Sequence, residues 1–413
     1  VNPLINQTTS ASPQGAFGAA APEPVGGGAN SQSLSTSLSV TAKKVPVQET
    51  KAPPTLADLL GVLVENKGSD LHIQAGEVPI GRINGELGRF EMPPLTESEV
   101  LRLAREVLGS DEKMQAFQAT KDCDAAVAIP DLGRFRVNLF YQRNRPGLVL
   151  RTIGAKIPTI AQLELPEVLK TIAAANDGLV LVTGATGSGK STTLAALIDH
   201  INATQACHIM TLEDPIEFVH ENKLALINQR EISVDSTTFA SALKHVLRQD
   251  PDVILIGEMR DAESASVALT AAETGHLVFG TLHTQDAPES LERLINLFPT
   301  DRITQVRMQL SLGLRAIICQ KLLPRAGGGR TAALEILINS PRIKKLILDG
   351  DTTKIPAAIQ ASRSDGMQTF NQALVDLVKA GKVEEAEALR FSPKPDELKM
   401  NLKGIFSGTS AMA

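Results

Sequence analysis

Apolar positions are distributed unevenly along the 413 residues, and their spacing changes character from one stretch to the next. From Val1 to about Pro54 there is almost no periodicity. Ser, Ala, Gly, Pro, Thr and Gln dominate there, with a Gly26-Gly27-Gly28 run, so residues 1–54 are expected to form a disordered low-complexity tail that cannot offset its chain entropy by burial. A helical stripe of Leu56, Leu59, Leu60 and Leu63 starts at Thr55 and stops around Lys67-Gly68. Asp70 to Gln74 reads as a strand, Asn84-Gly85 as a hairpin turn, and Thr96 with Glu99 as the capping box of a helix reaching Gly109. Asp124 to Ile129, Arg134 to Tyr141 and Leu148 to Ile153 read as further strands, so residues 55–153 predict a mixed α+β domain.

Residues 154–160 are expected to be a hinge. After it the pattern alternates: strand Leu179 to Val182, helix from Ser191, strand near His208 to Leu212, helix Ser236 to Gln249, strand Val253 to Ile256, helix Ala262 to Thr274, strand Leu277 to Leu282. Such an order implies an α/β class with a parallel sheet and ligands at the strands' C-terminal ends. Residues 161–390 are assigned to this domain, with a helical C-terminal part, and residues 391–413 to a C-terminal tail.

Candidate chemistry clusters at those strand ends. Leu179 to Val182 is a short uncharged run followed by Gly184-Ala185-Thr186-Gly187-Ser188-Gly189-Lys190-Ser191, the phosphate-loop pattern, and then by Thr192 and apolar residues at helical spacing. Glycines there let successive N–H groups face one concavity, Lys190 reaches β and γ phosphates, and Ser191 offers a hydroxyl to Mg²⁺. These residues, Thr186 to Thr192, point to ATP bound with Mg²⁺. Thr211 to Glu217 reads TLEDPIE, three carboxylates able to supply a general base or simply to pair with nearby arginines. Asp252 to Glu258 reads DVILIGE, an apolar strand ending in an acid that would act on Mg²⁺ through a bound water. His276 and His283 bracket the last strand, and His283 falls where the sheet would present it to the γ phosphate. Between Leu132 and Leu163 six basic residues, among them Arg134, Arg136 and Arg151, occur without an acid. They fit a solvated strand face and arginines offered to a nucleotide, including one held by a neighbouring subunit, about equally well.

Composition narrows the classes. A net charge of -5, a pI near 5.9, no Trp and one Tyr disfavour a nucleic-acid partner. Cys123, Cys207 and Cys319 lie too far apart for a zinc site or a disulfide framework, and no apolar run approaches membrane-spanning length. A cytoplasmic protein without direct membrane insertion is expected.

Taken together, GSDLHIQAG, GRFRVN, LVTGATGSGKSTT, TLEDPIEFVHE, NQRE, DPDVILIGEMRD and LTAAETGHLVFGTLHT closely resemble the secretion-type hexameric ATPases, and within them the retraction motors of type IV pili. The resemblance runs from about Thr55 to Val383. It implies a homo-hexamer in which an N-terminal PAS-like domain moves against a RecA-like ATPase core as ATP is hydrolysed between subunits. It further implies Glu217 as catalytic glutamate, Glu258 as the Walker B acid, His283 as the histidine-box sensor and Arg134, Arg136 and Arg151 as arginine candidates. The implied work is pilus retraction and twitching motility, at the inner face of the cell membrane, on an inner-membrane platform protein, with other pilus ATPases as further candidate partners. The four-cysteine zinc insertion of assembly ATPases has no counterpart here, whereas the retraction signature AIRNLIRE is only partly kept as RIKKLILD from Arg342 to Asp349. An accessory paralogue, an assembly or secretion ATPase, and a nucleotide-gated scaffold without turnover are the competing readings.

Overall fold

The computed structural model describes residues 43–46, 53–83, 85–153, 156–232 and 234–405. Strand β1 (Lys43–Val45) pairs in parallel with β4 (Glu86–Phe90) and buries Val45. At residues 43–46 this corrects the expectation of a disordered tail, while residues 47–52 lie outside the described residues. The backbone edge of β4 and the apolar Val45 give a local partner that composition does not reveal. The other calls on residues 1–42, on Asn84 and on Gly154 and Ala155 of the hinge fall outside the described residues.

Helix α1 (Leu56–Glu65) is started by a capping box in which Thr55 and Asp58 satisfy each other's backbone N–H groups, and its buried leucines are those of the stripe. β2 (Gly68–Gln74), β3 (Ile80–Ile83), α2 (Glu97–Leu108), α3 (Asp111–Thr120), β5 (Asp122–Ile129), β6 (Gly133–Gln142) and β7 (Arg145–Thr152) complete this part. The described strands form one sheet in the order β1-β4-β3-β2-β7-β6-β5, antiparallel except at β1, and the helices close one core over it.

The second sheet runs β10-β9-β11-β12-β8-β13-β14. Its elements, in chain order, are α4 (Val168–Ala173), β8 (Gly178–Thr183), α5 (Lys190–Thr204), β9 (His208–Glu213), β10 (Leu226–Glu231), α6 (Phe239–Val246), β11 (Val253–Ile256), α7 (Ala262–Glu273), β12 (Leu277–Leu282), α8 (Ala287–Ile295), α9 (Ile303–Gly313), β13 (Leu314–Pro324) and β14 (Arg330–Ile338). Only the β13–β14 pair is antiparallel. Alternate residues of β8 enter opposite cores, Leu179 and Leu181 on one face and Val180 and Val182 on the other, which is why the strand reads as one unbroken apolar run.

α10 (Pro341–Asp349), α11 (Ile355–Ala361), α12 (Phe370–Lys379), α13 (Glu385–Phe391) and α14 (Pro395–Leu402) follow. α14 corrects the expected tail from residue 391: Leu398 is fully buried, Asn401 is nearly so, and Asn371 donates to the Lys394 carbonyl at 3.1 Å. A single buried leucine is too weak a periodic signal to announce a helix. Residues 406–413 lie outside the described residues.

Glu335 of β14 is buried and accepts the Ala287 N–H at the start of α8 at 2.9 Å. Burial pushes its carboxyl up from 4.5 to about 7, against the backbone bonds from Ala287 and Phe370. The folded chain therefore holds a proton that the unfolded chain releases in this window. The resulting stability is present below the unfolded pKa and lost as pH rises through about 7. Thermal unfolding between about pH 5 and about pH 8 should therefore show a fall in midpoint that is smaller in Glu335→Gln than in the parent. An equal fall in both would contradict the burial argument.

Candidate functional site

The exit of β8 builds the loop. All of β8 is buried, and the chain turns at Gly184 with φ of 144°, where an added Cβ would sit 2.4 Å from the Gln320 carbonyl oxygen. α5 then opens at Lys190, so the orphan N–H groups of a helix N-terminus and those of the preceding glycine-rich turn converge.

A cavity of about 480 Å³ opens in front of this loop. Thr186, Gly187, Gly189, Lys190, Ser191 and Thr192 form one wall. Glu217, Glu258, His283 and Arg151 face them. The strand order explains the gathering: β9, β11, β12 and β8 are successive neighbours, and the carboxylate segment, Glu258, His283 and the loop each lie at or beyond the C-terminal end of one of them.

The charges in the cavity are individually held. Lys190 is buried, donates to the Gly184 carbonyl at 2.7 Å and the Ala185 carbonyl at 3.1 Å, and has its pKa lowered by that burial, with Glu258 and Glu217 acting the other way. Glu258 meets Arg260 at 2.6 Å and the His283 Nε2 at 3.2 Å, and the Arg260 contact is the main reason its carboxyl lies below the usual range. Glu213 differs. Burial pushes it up, and it accepts hydrogen bonds from Thr211 at 2.7 Å and Gln229 at 3.1 Å. All three acids of TLEDPIE line the cavity; Glu213 is half-buried and tied to its internal partners, while Asp214 and Glu217 are exposed. His220, also in the wall, is pushed down to about 4 by burial and stays neutral at physiological pH.

The three arginines have different surroundings. Arg134 of β6 bonds the buried Glu231 of β10 at 2.9 Å, and Glu231 also accepts the Ile216 N–H at 3.2 Å, so this pair joins the two sheets. Arg151 reaches the cavity while bonding Asp70 at 2.7 Å. Arg136 lies opposite Arg151 on β6, exposed and outside the cavity wall. Ser188 also falls outside that wall. It is buried behind the loop, lining a second cavity of about 310 Å³ with Gln320 and Lys321.

Sequence reading did not single out Gln320, Arg260 or Arg330. Gln320 carried a signal, being one amide inside the apolar run AIICQKLL; Arg330, exposed in the cavity wall, carried none.

A family model for type II/IV secretion system proteins matches residues 50–390. The chain belongs to this family. The secretion-family chain is 44% identical over 341 residues to the type IV pilus retractation ATPase PilT of Pseudomonas aeruginosa, covering 83% of this chain and 99% of that protein. It is 42% identical over 346 residues to the type IV pilus ATPase PilU of the same organism, covering 84% and 90%. A crystal structure of the pilus retraction motor PilT with bound ADP superimposes with a TM-score of 0.79 at 42% identity, over 84% of this chain and 99% of that one. Its fold is accordingly a RecA-like P-loop core preceded by the α+β sheet domain. Among the described residues no helix of this family member is long and apolar enough to cross a membrane.

The arginine contacts separate by stability. Arg134→Ala leaves the buried Glu231 carboxylate with the Ile216 N–H alone, and should cost roughly 1–3 kcal/mol. Arg136→Ala should stay within about 0.5 kcal/mol. Thermal unfolding of the two variants checks this, and equal losses would contradict the assignment.

Proposed function

We propose that this chain is an ATPase that drives retraction of type IV pili. The observation that carries the reading is one cavity combining the phosphate loop, Glu217, Glu258 and His283, in a chain that aligns with nearly the whole of a pilus retraction ATPase. In this reading the N–H groups from Gly187 to Thr192 and the Lys190 ammonium hold the β and γ phosphates of ATP. Glu217, exposed in the cavity and free of the internal bonds that occupy Glu213, orients and deprotonates the attacking water.

Ser191 and Glu258 present hard oxygen donors to the same cavity, which suits Mg²⁺. The ion, when bound, neutralises charge on the β and γ phosphate oxygens. Glu258 is kept ionised by Arg260, and His283 beside it is placed to sense the γ phosphate. Arg136, exposed and outside its own chain's cavity, supplies a guanidinium to a neighbour's site in the six-subunit ring that the family resemblance implies. Work is delivered to an inner-membrane platform protein from the cytoplasmic side.

A second reading, an accessory motor acting beside a main retraction ATPase, is supported by the partly kept retraction signature in α10. The residues kept from the retraction signature include the inward-facing Ile343 and Ile347, whereas the altered Lys345 and Leu348 are exposed.

Two measurements test the proposal. Glu217→Gln should lower phosphate release by about 100-fold or more with ADP affinity within about threefold, since the amide keeps the shape and loses the basic oxygen. Turnover near the parental rate would move the base elsewhere. In cells, loss of the protein or Lys190→Ala should give abundant surface pili without twitching. The accessory reading gives near-normal piliation with movement weakened under load, and bald cells would overturn both.

A further inference from the structure

The loop is held in shape from behind by one side chain. Gln320 of β13 is 3% exposed, its Nε2 donates to the Ser188 carbonyl at 2.8 Å, and its Oε1 accepts from the Thr193 hydroxyl at 2.7 Å. Thr193, itself buried in the first turn of α5, donates its backbone N–H to the Gly189 carbonyl at 3.0 Å. One amide therefore grips the loop on both sides of Gly189. The register accounts for its position: Cys319 pairs with Thr183, so Gln320 lies beside the point where β8 turns into the loop.

A peptide unit is planar and trans, so its carbonyl and the following N–H point in opposite directions. With the Ser188 carbonyl tied backward to Gln320, the Gly189 N–H must point forward. The lining agrees for this peptide: Gly189 shares the first cavity with Lys190 and Ser191, Ser188 lines the second with Gln320, and Gly189 and Gln320 meet at a third. Gly189 has φ of 88°, and a Cβ there would fall 2.8 Å from the Gln320 Nε2, so the amide that steers this peptide also restricts the position to glycine.

We propose that Gln320 is a positioning residue for nucleotide binding, acting through the Ser188–Gly189 peptide to aim the Gly189 N–H at a phosphate oxygen. The inference rests on the ATPase reading. Gln320 touches no reacting atom; it removes the alternative in which this peptide rotates and presents its carbonyl to the phosphates, which would repel them.

The test is calorimetric titration of the full chain and its variants with ADP, reading affinity and stoichiometry separately. Gln320→Leu, and the isosteric Gln320→Glu, which keeps an acceptor for Thr193 but has no donor for Ser188, should each weaken ADP by about 10- to 100-fold at unchanged stoichiometry, the worth of one or two hydrogen bonds to a charged group. Thr193→Val, which leaves the Ser188 bond, should change affinity by less than about threefold. If Gln320→Leu fails to fold, Gln320→Met, uncharged, of similar length and unable to donate to Ser188, decides the matter, because Gln320→Glu also adds a negative charge behind the loop. A merely structural role would instead lower the stoichiometry of competent protein with the affinity of the remainder unchanged, and that result overturns the proposal. So would Thr193→Val matching Gln320→Leu. Failure of the parent to bind ADP would strike the ATPase reading itself and is distinguishable from these outcomes.

Discussion

The placement of β8 between β12 and β13, buried on both faces, is the constraint on which the rest of this protein depends. A strand with partners on both edges and cores on both faces leaves its chain one way out, beyond Thr183 at the sheet's C-terminal side. Gly184 turns there because any Cβ would strike the backbone of β13. The helix N-terminus, the cavity and the neighbouring strand ends are then fixed in relation to that turn. The sheet thus aims toward the cavity backbone donors that the fold must leave unsatisfied anyway.

Around that turn the side chains divide their labour by environment. Glu213 and Glu217 lie four residues apart, yet one is raised by burial and internally bonded while the other is exposed. Glu258 is held ionised by Arg260. Polarity alone would not distinguish these acids; their solvation and partners do.

Much of this was legible in the chain. The leucine stripe, the capping box of Thr96 and Glu99, β8 and the strand ends carrying Glu258 and His283 follow from periodicity and turn chemistry, since each is a local pattern. β10 was less visible because LINQRE on a sheet edge exposes part of its surface and has no apolar run. β1 and α14 depend on single buried residues, Val45 and Leu398, that no window average can register. The loop's contact with Gln320 spans 132 residues, and the Arg134–Glu231 pair joins two sheets; neither leaves a periodic trace. Arg134 shows the cost of this: charge spacing left solvated face and nucleotide contact equally open, and the side chain in fact meets Glu231.

Glu335 has a mechanical meaning beyond its protonation. Its carboxylate is bonded by the backbone of Ala287, just after the segment that carries His283, and by that of Phe370, at the start of α12. Two helices that are far apart in the chain are thus tethered to a single peg on β14. A displacement at the strand end bearing His283 cannot be absorbed locally by α8 without pulling on that peg. The start of α12 is therefore held against the entry of α8, the helix that follows the strand end bearing His283, and the C-terminal helices are anchored beside the loop rather than apart from it.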